Sequence, residues 1–599
     1  MSRASMEKSI VRGNIGIDIK SVDSVQVHTS KTDTAQTLEE EVEYNEFGQP
    51  LPKGIILWAC TGALALANFL AALDIMIVTT IINDVGAHFD AYAKTGWIIA
   101  GYSLPNALMS LLWGRIAFSF LGFKTAMLSA IVIFEIGSLI CALANSMDML
   151  IGGRVIAGIG GSGIQSLSFV IGSTLVSPRG RGFIIAFMSA SFGIASVIGP
   201  FIGGAFTSHV TWRWCFWINL PVGAVALVIF TWVYNPTGKK QVLLTIHDLK
   251  ELSEKVKKVR FKDLLKHLLF KLDIIEFMLI SAGIVCILLA FTFGGNRFKW
   301  GSYSIILLFV IGGCLVIVAL VYDFVIFPNL QIVKANYIQY QPLISWKNLR
   351  IRGIFTASMT TFFFCIGYMS QTVYYVQFFQ LIYNSSPWKA SIHLIAVMIP
   401  TVLTAVVCGF LNGKFGYVKP ITVAGMCLAV IGAGLLTLLD NHSNSAQHIG
   451  LLILPGVAFG ACNQCTMMAA QIELDKKSPT FKSDFVAVTT LNSFLKNCGQ
   501  AVGSIISASV FGGAVMNKIG KSSYHSEIRS VDDLIIYRAE HFDGARSVLG
   551  NMISDSVKDV FYMALGWCAL AFLFAIFTSN KKIEAPKKGE PVDVEAQKS

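Results

Sequence analysis

The stretch Asn68–Ile82, NFLAALDIMIVTTII, is an apolar run with one carboxylate, Asp74, set inside it. Widened on both sides, the run fills residues 56–82, enough to cross about 30 Å of hydrocarbon as a helix. Comparable runs follow at 96–118, 124–144, 150–173, 182–206, 213–234, 273–293, 303–327, 353–379, 389–411, 419–439, 447–471, 485–513 and 557–579, fourteen in all. The composition agrees. The 599 residues are 54% hydrophobic and only 14% charged, and the mean hydropathy is +0.62, whereas a soluble chain carries about 25% charge. The expected fold class is therefore an all-α polytopic membrane protein. A transmembrane barrel is excluded, because its strands would alternate apolar and polar residues over roughly ten positions.

An even number of spans puts both termini on one side, and charge chooses the side. The loops that share the side of the N-terminus carry Arg115 and Lys124, then Arg179 and Arg181, then a basic segment from Lys239 to Lys271, and later Lys347, Arg350, Lys414, Lys476 and Lys477. The opposite loops ANSMDM (144–149) and DNHSNSAQH (440–448) hold no lysine or arginine. Both termini are expected in the cytosol. The loop near 514–556 is the basic exception, and long loops translocate largely regardless of charge. The net charge of +11 thus reflects insertion bias rather than a nucleic-acid partner.

The expected organisation is a cytosolic disordered tail over 1–55, a six-helix half over 56–234, a basic cytosolic linker over 235–272, two additional spans over 273–327, a second six-helix half over 328–579, and a cytosolic tail over 580–599. The tail is polar and lacks the short apolar core of a cleaved leader. Segment 243–273 mixes apolar and basic residues at helical spacing; it either lies along the inner membrane surface or forms a soluble linker helix. The twelve cysteines are scattered, and Cys462 and Cys465 read as small packing residues within a span. Asn384 and Asn441 fit the glycosylation sequon, with Pro387 after the first making it a poor acceptor.

Three motifs stand out. IGGRVIAGIGGSGIQ (Ile151–Gln165) places Arg154, Gly158 and the pair Gly160–Gly161 on an apolar helix. Glycines at this spacing let helices approach closely. The guanidinium must face water, a carboxylate or carbonyls. GIASVIGPFIGG (Gly193–Gly204) sets Pro200 among Gly193, Gly199, Gly203 and Gly204, so the helix bends and a neighbour can pack into the bend. WRWCFWINLPVG (Trp212–Gly223) has the look of an interfacial aromatic belt.

Together these resemble the major facilitator superfamily. The first is similar to its motif B and the second to its motif C, which is associated with antiporters. LDIMIVTTII (Leu73–Ile82), WIIAGYSL (Trp97–Leu104), WRWCFWINLPVG and GGNRFKW (Gly294–Trp300) resemble the fourteen-span drug:proton antiporter family. FEIGSLICALA (Phe134–Ala144) looks like its fungal branch, which includes multidrug and azole exporters and vacuolar basic amino-acid transporters. The loop WGRIAFSFLGFKTAML (Trp113–Leu128) departs from motif A. Phe118 and Ser119 stand where an aspartate is usual, while Arg115 and Lys124 remain as cytosolic gate residues. The resemblance implies two six-helix halves around a midplane cavity, with the two additional spans between them, and alternating access by rocking of the halves. The glycines and Pro200 named above would be its conformational motif.

No nucleophile–base pair, metal cluster or phosphate-binding loop is evident, so neither catalysis nor a cofactor is expected, and an ion gradient rather than ATP would drive transport. Asp74 either carries the coupling proton or bridges helices with a donor such as Arg154. Glu135 is the second acid, lining the cavity or facing a headgroup. Glu276 and Asp323 read as interface residues within reach of water. His393 either shuttles protons or is held by hydrogen bonds. Lys496 either snorkels or binds an anionic substrate. Gln165, Gln371, Tyr374, Gln377, Asn463 and Gln464 are the expected cavity residues, with helix–helix glue as the alternative for each. The expectation is a monomeric proton-coupled antiporter exporting drugs or related organic compounds, its partners being a small-molecule substrate, protons and membrane lipid. Vacuolar uptake of basic amino acids, iron-chelate or glutathione exchange, and a non-transporting sensor are the alternatives. The plasma membrane is the first location and the vacuolar membrane the second.

Overall fold

A computed structural model describes residues 45–47, 49–91, 94–235, 269–294, 298–335 and 340–583. Among them, thirteen stretches are helical, long and apolar enough to cross a bilayer. One of these, Gly96–Ala142, is 47 residues long and is two helices. A single helix of that length would run about 70 Å, more than twice the hydrocarbon thickness. A π-helical turn over Ala117–Leu121 loosens it, and Gly122 at φ +74° and ψ 158° breaks it, in a region open to glycine alone.

The fourteen spanning helices are α1 (Gly54–His88), α2 (Gly96–Ile116), α3 (Gly122–Ala142), α4 (Met147–Thr174), α5 (Arg181–His209), α6 (Asn219–Val233), α7 (Ile274–Phe293), α8 (Tyr303–Val321), α9 (Arg352–Tyr383), α10 (Ile395–Phe415), α11 (Lys419–Leu436), α12 (Ser445–Ile472), α13 (Phe481–Ile519) and α14 (Val548–Ile576). Among the described residues no β-sheet forms. Backbone hydrogen bonding in these spans is thus carried by the helices themselves, as lipid requires, interrupted at the internal prolines Pro105, Pro200, Pro400 and Pro455.

The packing repeats itself. In the first half α1 lies on α5 and α6, and α4 lies on α2 and α3; in the second α9 lies on α13 and α14, and α12 lies on α10 and α11. The halves meet through α5 with α10 and α2 with α13, which are equivalent pairs under the same correspondence. The additional helices α7 and α8 pack chiefly on each other at Gly283 and Gly312, and α7 leans on α13 and α2. Ile306, Val310, Ile317 and Val321 of α8 are exposed, as suits a helix that faces lipid.

The end of the bundle where α1 begins carries Arg115, Arg181, Lys476 and Lys581, and is called the basic face below. There the halves touch. Gly182 of α5 packs on Gly409 of α10, and Gln471 of α12 donates to Ser173 of α4 at 3.4 Å. The segment Asn45–Phe47 falls inside the expected disordered tail, yet it is packed. Asn45 donates to the Thr174 carbonyl at 2.7 Å, and Glu46 pairs with Arg181 at 2.6 Å and Lys476 at 3.1 Å. The Phe47 ring lies against Phe123 of the first half and Phe481 and Phe485 of the second. Residues 236–268 of the expected linker 235–272, and with them most of segment 243–273, lie outside the described residues, as do the outer parts of both tails.

At the opposite end the expected loop 514–556 is shorter than the hydropathy pattern implies. Helix α13 continues to Ile519, α14 begins at Val548, and a further helix spans Val531–Glu540. Arg538 explains this order. Its buried guanidinium donates to the Leu381 and Ile382 carbonyls at the end of α9 and to Gly544, and it pairs with Asp543. The last carbonyls of a helix have no partner within it, and an arginine supplies one. Asn441, in one of the two sequons, is 6% exposed and donates to Asn551 at 2.5 Å and to the Ala545 carbonyl at 3.0 Å.

Candidate functional site

The glycines of α4 set the site. A Cβ on Gly158 would lie 2.5 Å from the Tyr102 carbonyl oxygen, and one on Gly160 would lie 2.3 Å from the Phe134 backbone nitrogen. No side chain fits at either position, so α2 and α3 close onto α4 backbone to backbone. This approach brings the Tyr102 ring to 4.4 Å from the Arg154 guanidinium carbon, with Phe216 at 5.9 Å. Cation–π contact of this kind is worth most where water is absent.

Arg154 is 1% exposed and Asp74 is fully buried. The Arg154 Nη1 reaches Asp74 Oδ2 at 2.5 Å, and its Nε donates to the Ile98 carbonyl at 3.3 Å. The guanidinium therefore meets both a carboxylate and a carbonyl. Asn219, the first residue of α6, donates its amide to Asp74 Oδ1 at 3.0 Å and to Ser138 Oγ at 3.1 Å. Four helices, α1, α3, α4 and α6, are thereby tied to one carboxylate. Arg154 lies seven residues into α4, so the cluster sits about 10 Å from the end opposite the basic face, off the midplane.

Glu135 is half-buried on α3, one turn before Ser138. Among the described residues neither of its carboxyl oxygens has a hydrogen-bond partner, although both are buried. It packs on Gly223 of α6, where an added Cβ would lie 1.5 Å from Oε1. The α5 motif supports the site from behind. Gly199 faces Met76 and Gly203 faces Thr80, so α5 lies directly on the turn of α1 that follows Asp74, with Pro200 between the two contacts and Gly204 half-buried beside them. Gly193 instead points across to Val402 of α10.

The expected cavity residues are not all brought together. Asn463 of α12 donates to Ser189 Oγ of α5 at 3.0 Å, across the halves. Gln165 is buried on α4, and its Nε2 has no partner among the described residues. Gln371 turns into the second half and donates to Cys568 Sγ at 3.5 Å. Tyr374 packs on Phe511 at 5.1 Å, Gln464 donates to the Ala405 carbonyl at 3.0 Å, and Gln377 is half-buried on α9. His393 stacks on Phe379 with ring centroids 4.0 Å apart.

Arg115 ends α2 buried and donates to the Pro342 carbonyl. Lys124 stands in the first turn of α3. Glu276 and Asp323 are not at a wet interface, as the sequence pattern implies; they are 1% and 0% exposed. With Asp273 they form a group whose carboxyl oxygens lie within 4.8 Å of one another, in the field of Arg115. The reason is tertiary: α7 and α8 turn these residues toward α2 and the Leu343 backbone, which donates to Glu276 at 3.0 Å. Sequence reading missed Asn219, Ser138, Tyr102 and Asp273. Asn219, Tyr102 and Ser138 were within sight, as polar residues inside the motifs WRWCFWINLPVG, WIIAGYSL and FEIGSLICALA, but nothing local assigned them to Asp74 and Arg154.

Comparison with known proteins agrees with this fold. The Major Facilitator Superfamily profile matches residues 64–331. The chain belongs to that superfamily, and it is an integral membrane transporter. Azole resistance protein 1 of Saccharomyces cerevisiae is 55% identical over 578 residues, 93% of each chain. Vacuolar basic amino acid transporter 5 of the same yeast is 46% identical over 546 residues, 90% of this chain and 93% of the relative. The solved proton:xylose symporter XylE superposes with TM-score 0.53 at 14% identity, covering 88% of this chain and 97% of that one, and supports the fold alone.

Proposed function

We propose that the chain is a proton-coupled antiporter that carries small organic molecules out of the cytosol by alternating access. The observation that supports this reading is a buried polar path with two carboxyls on it: Asp74, held by Arg154 and joined through Asn219 to Ser138, and Glu135 one turn from Ser138. The pair with Arg154 must open for Asp74 to take a proton. Protonating Asp74 removes the charge that Arg154 faces. Removing one partner of a buried pair costs about 3–5 kcal/mol. Driving a two-state equilibrium from 1:99 to 99:1 takes about 5.5 kcal/mol, so a proton could supply most of a conformational switch on condition that the pair is closed in one conformation and open in the other. Because four helices share the carboxylate, its charge state is felt across the first half at once. Glu135, one turn from Ser138 and with no donor on its oxygens among the described residues, is the second proton-carrying group on this path.

The loop charges favour both termini in the cytosol, with the basic face turned inward. The relatives' names favour azole-type drugs as the first substrate class and basic amino acids as the second. Plasma-membrane export and vacuolar loading both move the solute away from the cytosol against incoming protons, so one mechanism serves either. Proteoliposomes with an imposed pH gradient test the reading. Substrate-dependent proton flux across a panel of azoles, cationic dyes, lysine and arginine is expected in the natural chain and should vanish in Asp74→Asn. Undiminished coupled flux in that variant would reduce Asp74 to a structural bridge.

A further inference from the structure

The chain just past α14 folds back on the protein at the basic face. Gly416, in the left-handed region at φ +73°, ends α10 and turns the chain toward α11. The Ile583 N–H donates to the Gly416 carbonyl at 2.8 Å, and Ile583 itself is 3% exposed. The Lys582 ammonium lies 5.2 Å from the centroid of the Tyr417 ring. Residues 582 and 583 are thereby pinned on the turn between α10 and α11.

Beside this turn a groove of about 490 Å³ runs between α11 and α14. Val423, Ala424 and Cys427 line it from one stripe of α11, and Phe572 lines it from α14. The groove exists because that stripe is small: Ala424 and Cys427 are exposed, and the large Ile431 stands one turn beyond them. Lys419, the first residue of α11, and Asn580, just past α14, line the end at the basic face. From Lys419 to Cys427 the stripe runs about 12 Å along the helix. No acidic residue is among those that line it.

The charges at the polar end are unmatched. Among the described residues Lys419 has no hydrogen bond or ion pair, and Lys582 has only the Tyr417 ring. Lys581, next to it, is already paired with Glu473 at 3.2 Å. An apolar groove with free cations at one end fits a molecule that is apolar along its length and anionic at its tip. A zwitterionic lipid would fill the groove equally well but leave the lysines without a counter-charge.

We infer that the groove holds one acyl chain of a glycerophospholipid whose anionic headgroup is met by Lys419, Asn580 and Lys582. The lysines supply charge, and the Asn580 amide donates to a headgroup oxygen. Basic recesses between spanning helices take anionic headgroups on the cytosolic side, and the loop charges favour that side for the basic face. The bound lipid ties the start of α11 to the chain that follows α14. The inference rests on the placement of the chain in a membrane and not on the antiport reading, so the two can fail separately.

The test titrates the purified, delipidated full chain in detergent with dioleoylphosphatidylserine, dioleoylphosphatidylcholine or O-phosphoserine, and counts bound molecules by native mass spectrometry. Phosphatidylserine is expected to bind about tenfold more tightly than phosphatidylcholine or better, since each lysine near an anionic headgroup contributes about fivefold. Lys419→Gln and Lys582→Gln should each lower that preference by about fivefold, and Lys419→Arg should keep it. Lys521→Gln, at the opposite end of the bundle, should change nothing. Ala424→Trp should fill the groove and weaken both lipids together. Equal binding of the two lipids by the natural chain overturns the inference. So does a preference that survives Lys419→Gln and Lys582→Gln combined, that falls as far in Lys521→Gln, or that is lost in Lys419→Arg. O-phosphoserine bound as tightly as the lipid would make this a free-phosphate site and overturn the lipid assignment.

Discussion

At the scale of the residue, the site turns on charges that have no water. Asp74 is fully buried and spends both oxygens on Arg154 and Asn219. Asp74→Asn should lower the unfolding free energy by about 3–5 kcal/mol, because it strands the guanidinium. Thermal unfolding in detergent reads that loss, and Arg154→Met added to Asp74→Asn should recover part of it, since an apolar replacement leaves no orphaned charge. Glu135 behaves differently. Its oxygens have no hydrogen-bond partner among the described residues, so Glu135→Gln should change stability by less than about 1 kcal/mol. If it carries protons, that same variant lowers coupled flux by tenfold or more at unchanged melting temperature. A variant with full flux would make Glu135 a packing residue. The acids were legible in the sequence as carboxylates in apolar runs. Arg154 was legible too, as a donor that Asp74 could bridge to; that Asn219 joins them was not, since it lies 145 residues from Asp74.

At the scale of the element, the glycines separate structure from freedom. Gly160 meets the Phe134 backbone, and Gly152, eight residues earlier on the same helix, meets nothing within 4 Å. Gly160→Ala should cost about 1–3 kcal/mol, because backbone cannot step aside as a side chain does. Gly152→Ala should be neutral or gain up to about 1 kcal/mol from helix propensity. Paired melting curves check both. Helix existence was written in the apolar runs. Helix ends were less so: α14 begins at Val548, not near 557, because the amphipathic start of the helix packs on the protein, and hydropathy alone reads it as loop. The Arg538 cap on α9 is likewise invisible in sequence, its acceptors lying 156 and 157 residues away.

At the scale of the whole molecule, the segment before α1 links the halves at the basic face. Burial pushes the Glu46 carboxyl up, but Arg181 and Lys476 outweigh it and hold it below its ordinary value. A carboxyl depressed in the folded state stabilises above its unfolded value, about 4.3, and loses that contribution as the pH falls through the lower, folded one. Stability of the natural chain should therefore decline as pH falls from about 5 toward 3. Glu46→Gln should flatten that part of the profile and cost about 1–3 kcal/mol at pH 7. Melting temperatures over that range, natural chain against variant, decide it; an unchanged slope would mean the bridge contributes nothing.

The sequence by itself determined the solvent. Fourteen apolar runs with basic loops leave only a polytopic helical bundle, because hydrocarbon satisfies no backbone group and each segment must satisfy its own. It also determined where α4 and α5 would be approached closely, since glycine is a local statement about what can stand beside a helix. Only the tertiary structure decided who stands there. That Asp74 faces Arg154 and Asn219, that Glu276 and Asp323 are buried with Asp273, and that Lys496 ends between Phe169 and Phe192 all depend on how helices rotate about their axes. In lipid that rotation is weakly encoded by hydropathy, because a helix apolar on every side has no wet face to set its orientation; packing and a few polar bonds set it instead.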